Sequence, residues 1–315
     1  MKTLPSSLRR LLLSTLLAST TAFAGGNITF STEQAYPEGI AWSATQKVFF
    51  VSSVHQGVVG KVTLDGRYTP FIRDEKLISS AGLHLDTARN LLWVAIGDLG
   101  ASVRSKPENQ GKLAAIAAYD TTTGERRAYH DLGALIEGGH FANDITTDPQ
   151  GNVYVTDSFA PVVYRIDPKG TASVFAKSDW FKGEGFNLNG LVYHPDGYLL
   201  VGKYNSGELF RISTKDPSNI HRVKLNDTLV GADGLLLRGR DRITVVQNAG
   251  KDRVLDVVSH DGWETATLQP AKATAQSFPT AAAVVGKDLY VLNARLDTLF
   301  SAEAPKVNEF VLQKF

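Results

Sequence analysis

EGIAW from Glu38, AGLHLD from Ala81, NDITTD from Asn143, NGLVYHPDG from Asn189, DGLLL from Asp233 and TAAAV from Thr280 are six versions of one element. Each opens on a polar or small residue, runs into aliphatics, and leads through a turn to a second apolar run. Successive starts lie 43, 62, 46, 44 and 47 positions apart. A period of about 40–50 residues suits four short strands per unit, as in a propeller blade, and is too long for most leucine-rich units. The one long interval holds the polar insertion DLGASVRSKPENQGK, Asp98 to Lys112. Six repeats predict an all-β chain folded as a six-bladed β-propeller.

The second runs, Val48–Val51, Leu91–Val94, Val153–Val155 and Leu199–Val201, are β-branched and aromatic and end in Gly, Asp, Asn or Pro. That is the pattern of strands joined by tight connections. Outside the first 24 residues no long stretch has apolar residues at helical spacing. NITFS, Asn27 to Ser31, precedes the first repeat and reads as an orphan strand. It is expected to complete the sixth blade beside the C-terminal strand within Asn308–Phe315, leaving no open edge. The plainer alternative is a loose N-terminal extension.

Residues 1–24 have the form of a secretory signal peptide. Lys2, Arg9 and Arg10 precede the apolar run Leu11–Ala18, and Ala22-Phe23-Ala24 offers a cleavage site. Residues 25–315 then form the propeller, exported to the periplasm or the medium. No other apolar segment approaches the ~18 residues of a membrane span. The chain has no cysteine, which excludes disulfides, thiolate metal sites and a cysteine nucleophile. Its net charge of +1 gives no electrostatic case for nucleic acid or an anionic membrane. A small-molecule substrate and a monomer are expected.

In a propeller the first strands line the central channel, and their opening residues meet at one mouth. Glu38, Asn143, Asn189 and Asp233 then converge as an all-oxygen set with two negative charges. Such a set suits one hard divalent cation, Ca²⁺ before Mg²⁺, Mn²⁺ or Zn²⁺. No pair of the seven histidines stands at zinc-ligand spacing. Asn-Gly and Asp-Gly are also common turn pairs, and any one alone reads as a turn. Four oxygen-bearing residues at one phase of a repeat point to a shared central metal site.

EGIAW, FANDITTDPQGNVYVTDS, NLNGLVYHPDGYLLVGKYNSGELFRI and ADGL together resemble the regucalcin/gluconolactonase family of six-bladed, metal-dependent lactonases. The resemblance spans Asn27 to Phe315. It implies that Glu38, Asn189 and Asp233 are direct metal ligands and that Asn143 is a ligand or a substrate-binding neighbour. Asn143-Asp144-Ile145 is also similar to the two-calcium paraoxonases. Gly39 and Gly234, however, stand where those carry an acidic residue and an asparagine, which favours a single ion. The implied activity is opening of lactones or related cyclic esters, the ion polarising the carbonyl and a carboxylate activating water.

The resemblance nominates Asp144 as the base; its alternative role is a carboxylate capping turn amides below the site. His140, after Gly138-Gly139, and His84 are reserve proton acceptors, with His84 expected to pack between strands. The second strands end at the same mouth and place Ser53, Asp157, Lys203, Gln247 and Asn293 there. Asp157 and Lys203 are candidate substrate-binding residues or, alternatively, a salt bridge. The insertion Asp98–Lys112 and the loop Lys177–Leu188, with Trp180, Phe181 and Phe186, are expected to cover the mouth. A non-catalytic propeller with a structural metal is the competing function, and a strictosidine-synthase-like condensing enzyme a remote one.

Overall fold

Buried and exposed residues alternate along Ile28–Ser31, with Ile28 and Phe30 inside and Thr29 and Ser31 outside. This is the two-residue period of a strand lying on a core. The strand pairs antiparallel with Glu309–Lys314, matching Ile28 to Leu312 and Phe30 to Phe310. It therefore closes the last blade with the first segment of the fold, as expected from the sequence. The computed structural model describes residues 26–315; the signal peptide expected over residues 1–24 lies outside the described residues.

Six antiparallel sheets follow one another around a ring. Their first strands are Ile40–Ser43, Ser79–Asp86, His140–Thr147, Leu188–His194, Ala232–Leu237 and Pro279–Val285. Each of the six repeated sequence elements lies on, or runs into, one of these strands. Four sheets have four strands, and short added pieces extend the third and fifth blades. One such piece, Lys112–Leu113, ends the insertion and pairs parallel with His140 and Phe141. Among the described residues the only α-helix is Leu296–Phe300, and no helix is long and apolar enough to cross a membrane.

The core is divided into six clusters, one between each pair of neighbouring blades. Phe30, Phe49, Tyr290 and Phe310 join blades six and one, and Phe50, Val59, Leu92 and Val94 join one and two. Ala95, Ile116, Val155 and Tyr164 join two and three, while Val163, Leu188, Val201 and Phe210 join three and four. Leu200, Leu209, Val245 and Trp263 lie between four and five; Val246, Val254 and Val291 lie between five and six. Both faces of every sheet are thus covered, which is why the strands read as continuous apolar runs.

The first strands carry a recurrent irregularity at the predicted ligand position. Pairing with the second strand slips by one residue between Ala142 and Ile145, Leu188 and Leu191, and Ala232 and Leu235. The same slip falls between Ser80 and Leu83 and between Pro279 and Ala282. These are β-bulges, which bend a strand and re-aim its side chains. Asn143, Asn189 and Asp233 sit in them. The following residue is glycine at 39, 82, 190 and 234, because the next first strand is close. A Cβ on Gly190 meets the Asp233 carbonyl oxygen at 2.1 Å, and one on Gly82 meets that of Asn143 at 2.3 Å.

Candidate metal centre

Glu38, Asn143, Asn189 and Asp233 line one cavity of about 300 Å³ at the mouth of the ring. Asn143, Asn189 and Asp233 are buried, and Glu38 is half-buried. Glu38 Oε2, Asn143 Oδ1 and Asn189 Oδ1 are shielded from solvent and have no hydrogen-bond partner. A buried oxygen without a partner is costly, so three at one place call for a group that accepts their lone pairs. A hard cation is such a group. Among the described residues no three His, Cys, Asp or Glu side chains cluster at metal-binding spacing. The donor set here has two carboxylates and two amides, so any ion it holds is an oxygen-liganded one.

The amide orientations are fixed by their neighbours. The Ser158 hydroxyl donates its only proton to the Leu188 carbonyl at 2.7 Å. It must therefore accept from the Asn143 amide nitrogen, 2.9 Å away, which leaves the Asn143 oxygen facing the cavity. Tyr204 donates to Asn248 Oδ1 at 2.6 Å. The Asn248 amide nitrogen in turn donates to Asp233 Oδ2 at 2.5 Å and to the Pro279 carbonyl at 3.1 Å. Thr280 ties the ring shut by donating to the Glu38 carbonyl at 2.6 Å.

Without a cation, the carboxylates resist ionisation. Burial, then the Asp233 charge and then that of Asp144, holds Glu38 well above its usual value of 4.5. Burial pushes Asp233 from 3.8 to about 8, opposed by the Asn248 hydrogen bond and aided by the Asp144 charge. Each carboxyl group therefore binds its proton more tightly folded than unfolded. Stability of the cation-free protein must fall as pH rises toward the folded pKa. His84, His130 and His194 are all held below 6.5 by burial and act in the opposite sense, but only below 6.5. Thermal unfolding in chelator is thus expected to show a lower Tm at pH 8.5 than at pH 6.5. Asp144 and His140, whose pKa values are also raised, act in the same sense as the pair; calcium should remove the part due to Glu38 and Asp233, and a Tm that rises with pH in chelator contradicts the raised carboxyl groups.

A second cavity, of about 460 Å³, is the channel below, where Glu38 and Asp233 are joined by Asp144 and His84. Asp144 lines the channel and is absent from the mouth cavity. Its carboxylate accepts the Ile145 N–H at 2.9 Å and the Leu191 N–H at 3.4 Å. Burial raises it to about 7 against those two bonds. His84 meets the Thr147 hydroxyl at 2.9 Å.

His140, Asp157 and Lys203 are not gathered at the mouth. His140 Nδ1 meets Asp157 Oδ2 at 2.8 Å and its Nε2 meets the Ile136 carbonyl at 2.8 Å, so both nitrogens are engaged. The Asp157 carboxylate holds this imidazole above its usual pKa. Asp157 is fully buried and also accepts from the N–H groups of Phe141, Phe159 and Ala160, each at 2.9 Å. Lys203 donates to the Trp180 and Lys182 carbonyls at 2.9 and 2.8 Å, pinning the loop Lys177–Leu188. Its acidic neighbour is Glu208, at 3.6 Å, rather than Asp157. Ser53 and Gln247 likewise anchor loops, through the carbonyls of Ala35 and Val230.

The residues that reach the site come one position later, at Ser158, Tyr204 and Asn248. Their backbone N–H groups bond to Phe141, Asn187 and Gly231, each two residues before a predicted ligand. The second strands end at Asp157, Lys203 and Gln247 as expected, but successive residues point to opposite faces, so the residue that ends the strand and the one after it belong to different rings. The signal for the correct phase was the run of small polar and amide residues directly after the second strands. The loops do cover the mouth: Leu99 from the insertion and Phe186 from Lys177–Leu188 line it. Trp180 and Phe181 instead pack on Phe210.

No family model matches the chain, and no curated protein matches its sequence. Solved structures do match it. The major allergen Mala s 1 of Malassezia sympodialis is 16% identical, with a TM-score of 0.74 over 92% of this chain and 95% of that one. Regucalcin of Agrobacterium tumefaciens, a calcium-binding protein, is 17% identical, with a TM-score of 0.64 over 92% and 94%. A gluconolactonase of Xanthomonas campestris is 16% identical, with a TM-score of 0.60 over 94% and 93%. What these proteins share with the chain is the fold.

Proposed function

We propose that the chain is a divalent-cation-dependent hydrolase that opens lactones or related cyclic esters, acting after export and removal of residues 1–24. The observation that carries this reading is the trio of unpartnered oxygens on Glu38, Asn143 and Asn189, beside Asp233 on the floor of a cavity. The likeness in fold to regucalcin and to a gluconolactonase supports it. Ca²⁺ suits the donors best, with Mn²⁺, Mg²⁺ and Zn²⁺ as the ions to compare. A bound cation supplies polarisation of the ester carbonyl and stabilisation of the charge that develops on its oxygen.

The chain's own residues supply the rest. Glu38 and Asp233 give negative charge, and Asn143 and Asn189 give neutral oxygens from bulges that neighbouring blades hold rigid. Of the three proton acceptors read from the sequence, Asp144 is the best suited. Burial raises it above the ordinary carboxylate value, which makes it the stronger proton acceptor, whereas both His140 nitrogens are engaged and burial lowers His84 to about 4. Asp157 and Lys203 position loops in this account and do not touch substrate.

The test is hydrolysis of alkyl, aryl and sugar lactones by chelator-stripped protein before and after each cation is restored. Activity that returns with the cation supports the proposal, and activity indifferent to chelation and reloading contradicts it. With Asp144 as base, Asp144→Asn keeps cation affinity and lowers turnover by about 10²–10⁴-fold. Undiminished turnover with a lowered Tm instead assigns Asp144 to tying blade three to Leu191 of blade four.

A further inference from the structure

We infer that the ester this site opens carries an apolar substituent, a short alkyl chain or a single aryl ring, and is not a hydroxyl-rich sugar lactone. The inference rests on the lactonase reading and adds the substrate class to it. Above the four oxygen residues the cavity wall is made by Leu99, Phe141, Phe186, Phe278, Leu296 and Phe300. These come from the insertion, two first-strand approaches, the loop before blade four and the blade-six helix. Among the lining residues only Glu38 and Asp233 are charged, and both belong to the floor.

The polar groups of Tyr204, Phe141 and Phe278 in the wall are already engaged. The Tyr204 hydroxyl donates to Asn248. The Phe141 N–H is held by Asp157 and its carbonyl by the Ser158 N–H. The Phe278 N–H bonds to Asp252 Oδ1, and its carbonyl accepts from the Ala294 N–H. A polyhydroxylated ring entering here loses water and finds almost no partners along the apolar wall, since the free oxygens lie on the floor that the cation would occupy, a case in which discrimination is strong. An alkyl chain or aromatic ring loses nothing comparable and buries apolar surface.

The wall is also built to stay in place. Phe186 meets Phe141 edge-on, with centroids 5.8 Å apart and planes at 84°, and meets Tyr204 at 6.1 Å and 60°. Phe278 is held at φ 57°, a left-handed conformation that disfavours any residue with a bulky side chain. A volume of about 300 Å³ lies at the small end of ligand pockets, which limits the substituent to a few carbons or one ring.

The test compares a δ-lactone bearing a five-carbon chain, dihydrocoumarin and glucono-1,5-lactone as substrates of the calcium-loaded protein. It also measures binding of the alkyl and gluconic δ-lactams, which are not hydrolysed. Expected is a kcat/KM about 10²-fold higher for the alkyl and aryl lactones, with the alkyl lactam bound more tightly than the gluconic one. Phe300 is half-exposed, so Phe300→Asn leaves the fold intact and should narrow the alkyl-over-sugar ratio about tenfold. Sugar lactone hydrolysed as well as alkyl lactone overturns the inference and leaves the lactonase proposal standing. Absence of any hydrolysis overturns the lactonase proposal, and the lactams then decide the inference: alkyl preference upholds it, and equal binding or none overturns it.

Discussion

Asp233→Ala and Glu38→Gln are each expected to weaken calcium binding by more than about 10²-fold while the propeller remains folded. Removing a group that merely supports a metal ligand typically costs 10–100-fold, and under the proposed function each change here removes a direct anionic ligand from a site with only two. The remaining carboxylate and two amides cannot offset the dehydration of the ion. The fold survives because Asn248, the partner of Asp233, keeps its bond to the Pro279 carbonyl at 3.1 Å. Relief of the repulsion that raises Glu38 should also leave the cation-free variants no less stable than wild type at pH 8.5. Calorimetric titration with far-UV circular dichroism checks both statements. Calcium affinity within threefold of wild type in both variants removes these residues from the site.

Gly190→Ala is expected to lower Tm by roughly 5 °C or more and to weaken cation binding with it. The added Cβ meets the Asp233 carbonyl at 2.1 Å and the Leu235 N–H nitrogen at 2.8 Å. Both are backbone atoms of the next first strand and cannot rotate aside. Overpacking costs about 1–3 kcal/mol where side chains can adjust, and a rigid contact lies at the top of that range or beyond it; each kcal/mol is worth about 2–4 °C in a chain of this order. Moving that strand shifts Asp233, so thermal and calcium titrations should fail together. An unchanged Tm contradicts the tight ring of first strands.

The blade number and the convergence of Glu38, Asn143, Asn189 and Asp233 on one cavity were legible because both are written in period. Six copies of one element set the count, and an oxygen-bearing residue at one phase in four of them marked the mouth. NITFS was legible as the closing strand because alternation survives in so short a segment. The bulges at Asn143, Asn189 and Asp233 left no such trace, since one extra residue in a strand does not disturb an apolar run. The second strands do end at Asp157, Lys203 and Gln247 as read from the sequence, but the last residue of each faces away from the site, and Ser158, Tyr204 and Asn248, one position on, reach it. The partners of His140 and Lys203 were beyond reach for a different reason. Lys203 is met by carbonyls of the loop Trp180–Lys182 and His140 by the Ile136 carbonyl besides Asp157, and no periodicity records the paths of those loops.

The proposed function stands or falls on four oxygen-bearing side chains, one from each of four blades, holding a single divalent cation at the mouth of the ring. Anomalous diffraction from crystals grown with Mn²⁺ or Ca²⁺ tests it most directly. One peak per chain is expected, at about 2.1–2.6 Å from oxygens of Glu38, Asn143, Asn189 and Asp233. A map from cation-saturated crystals with no peak between those four residues, or with its strongest peak elsewhere, contradicts it.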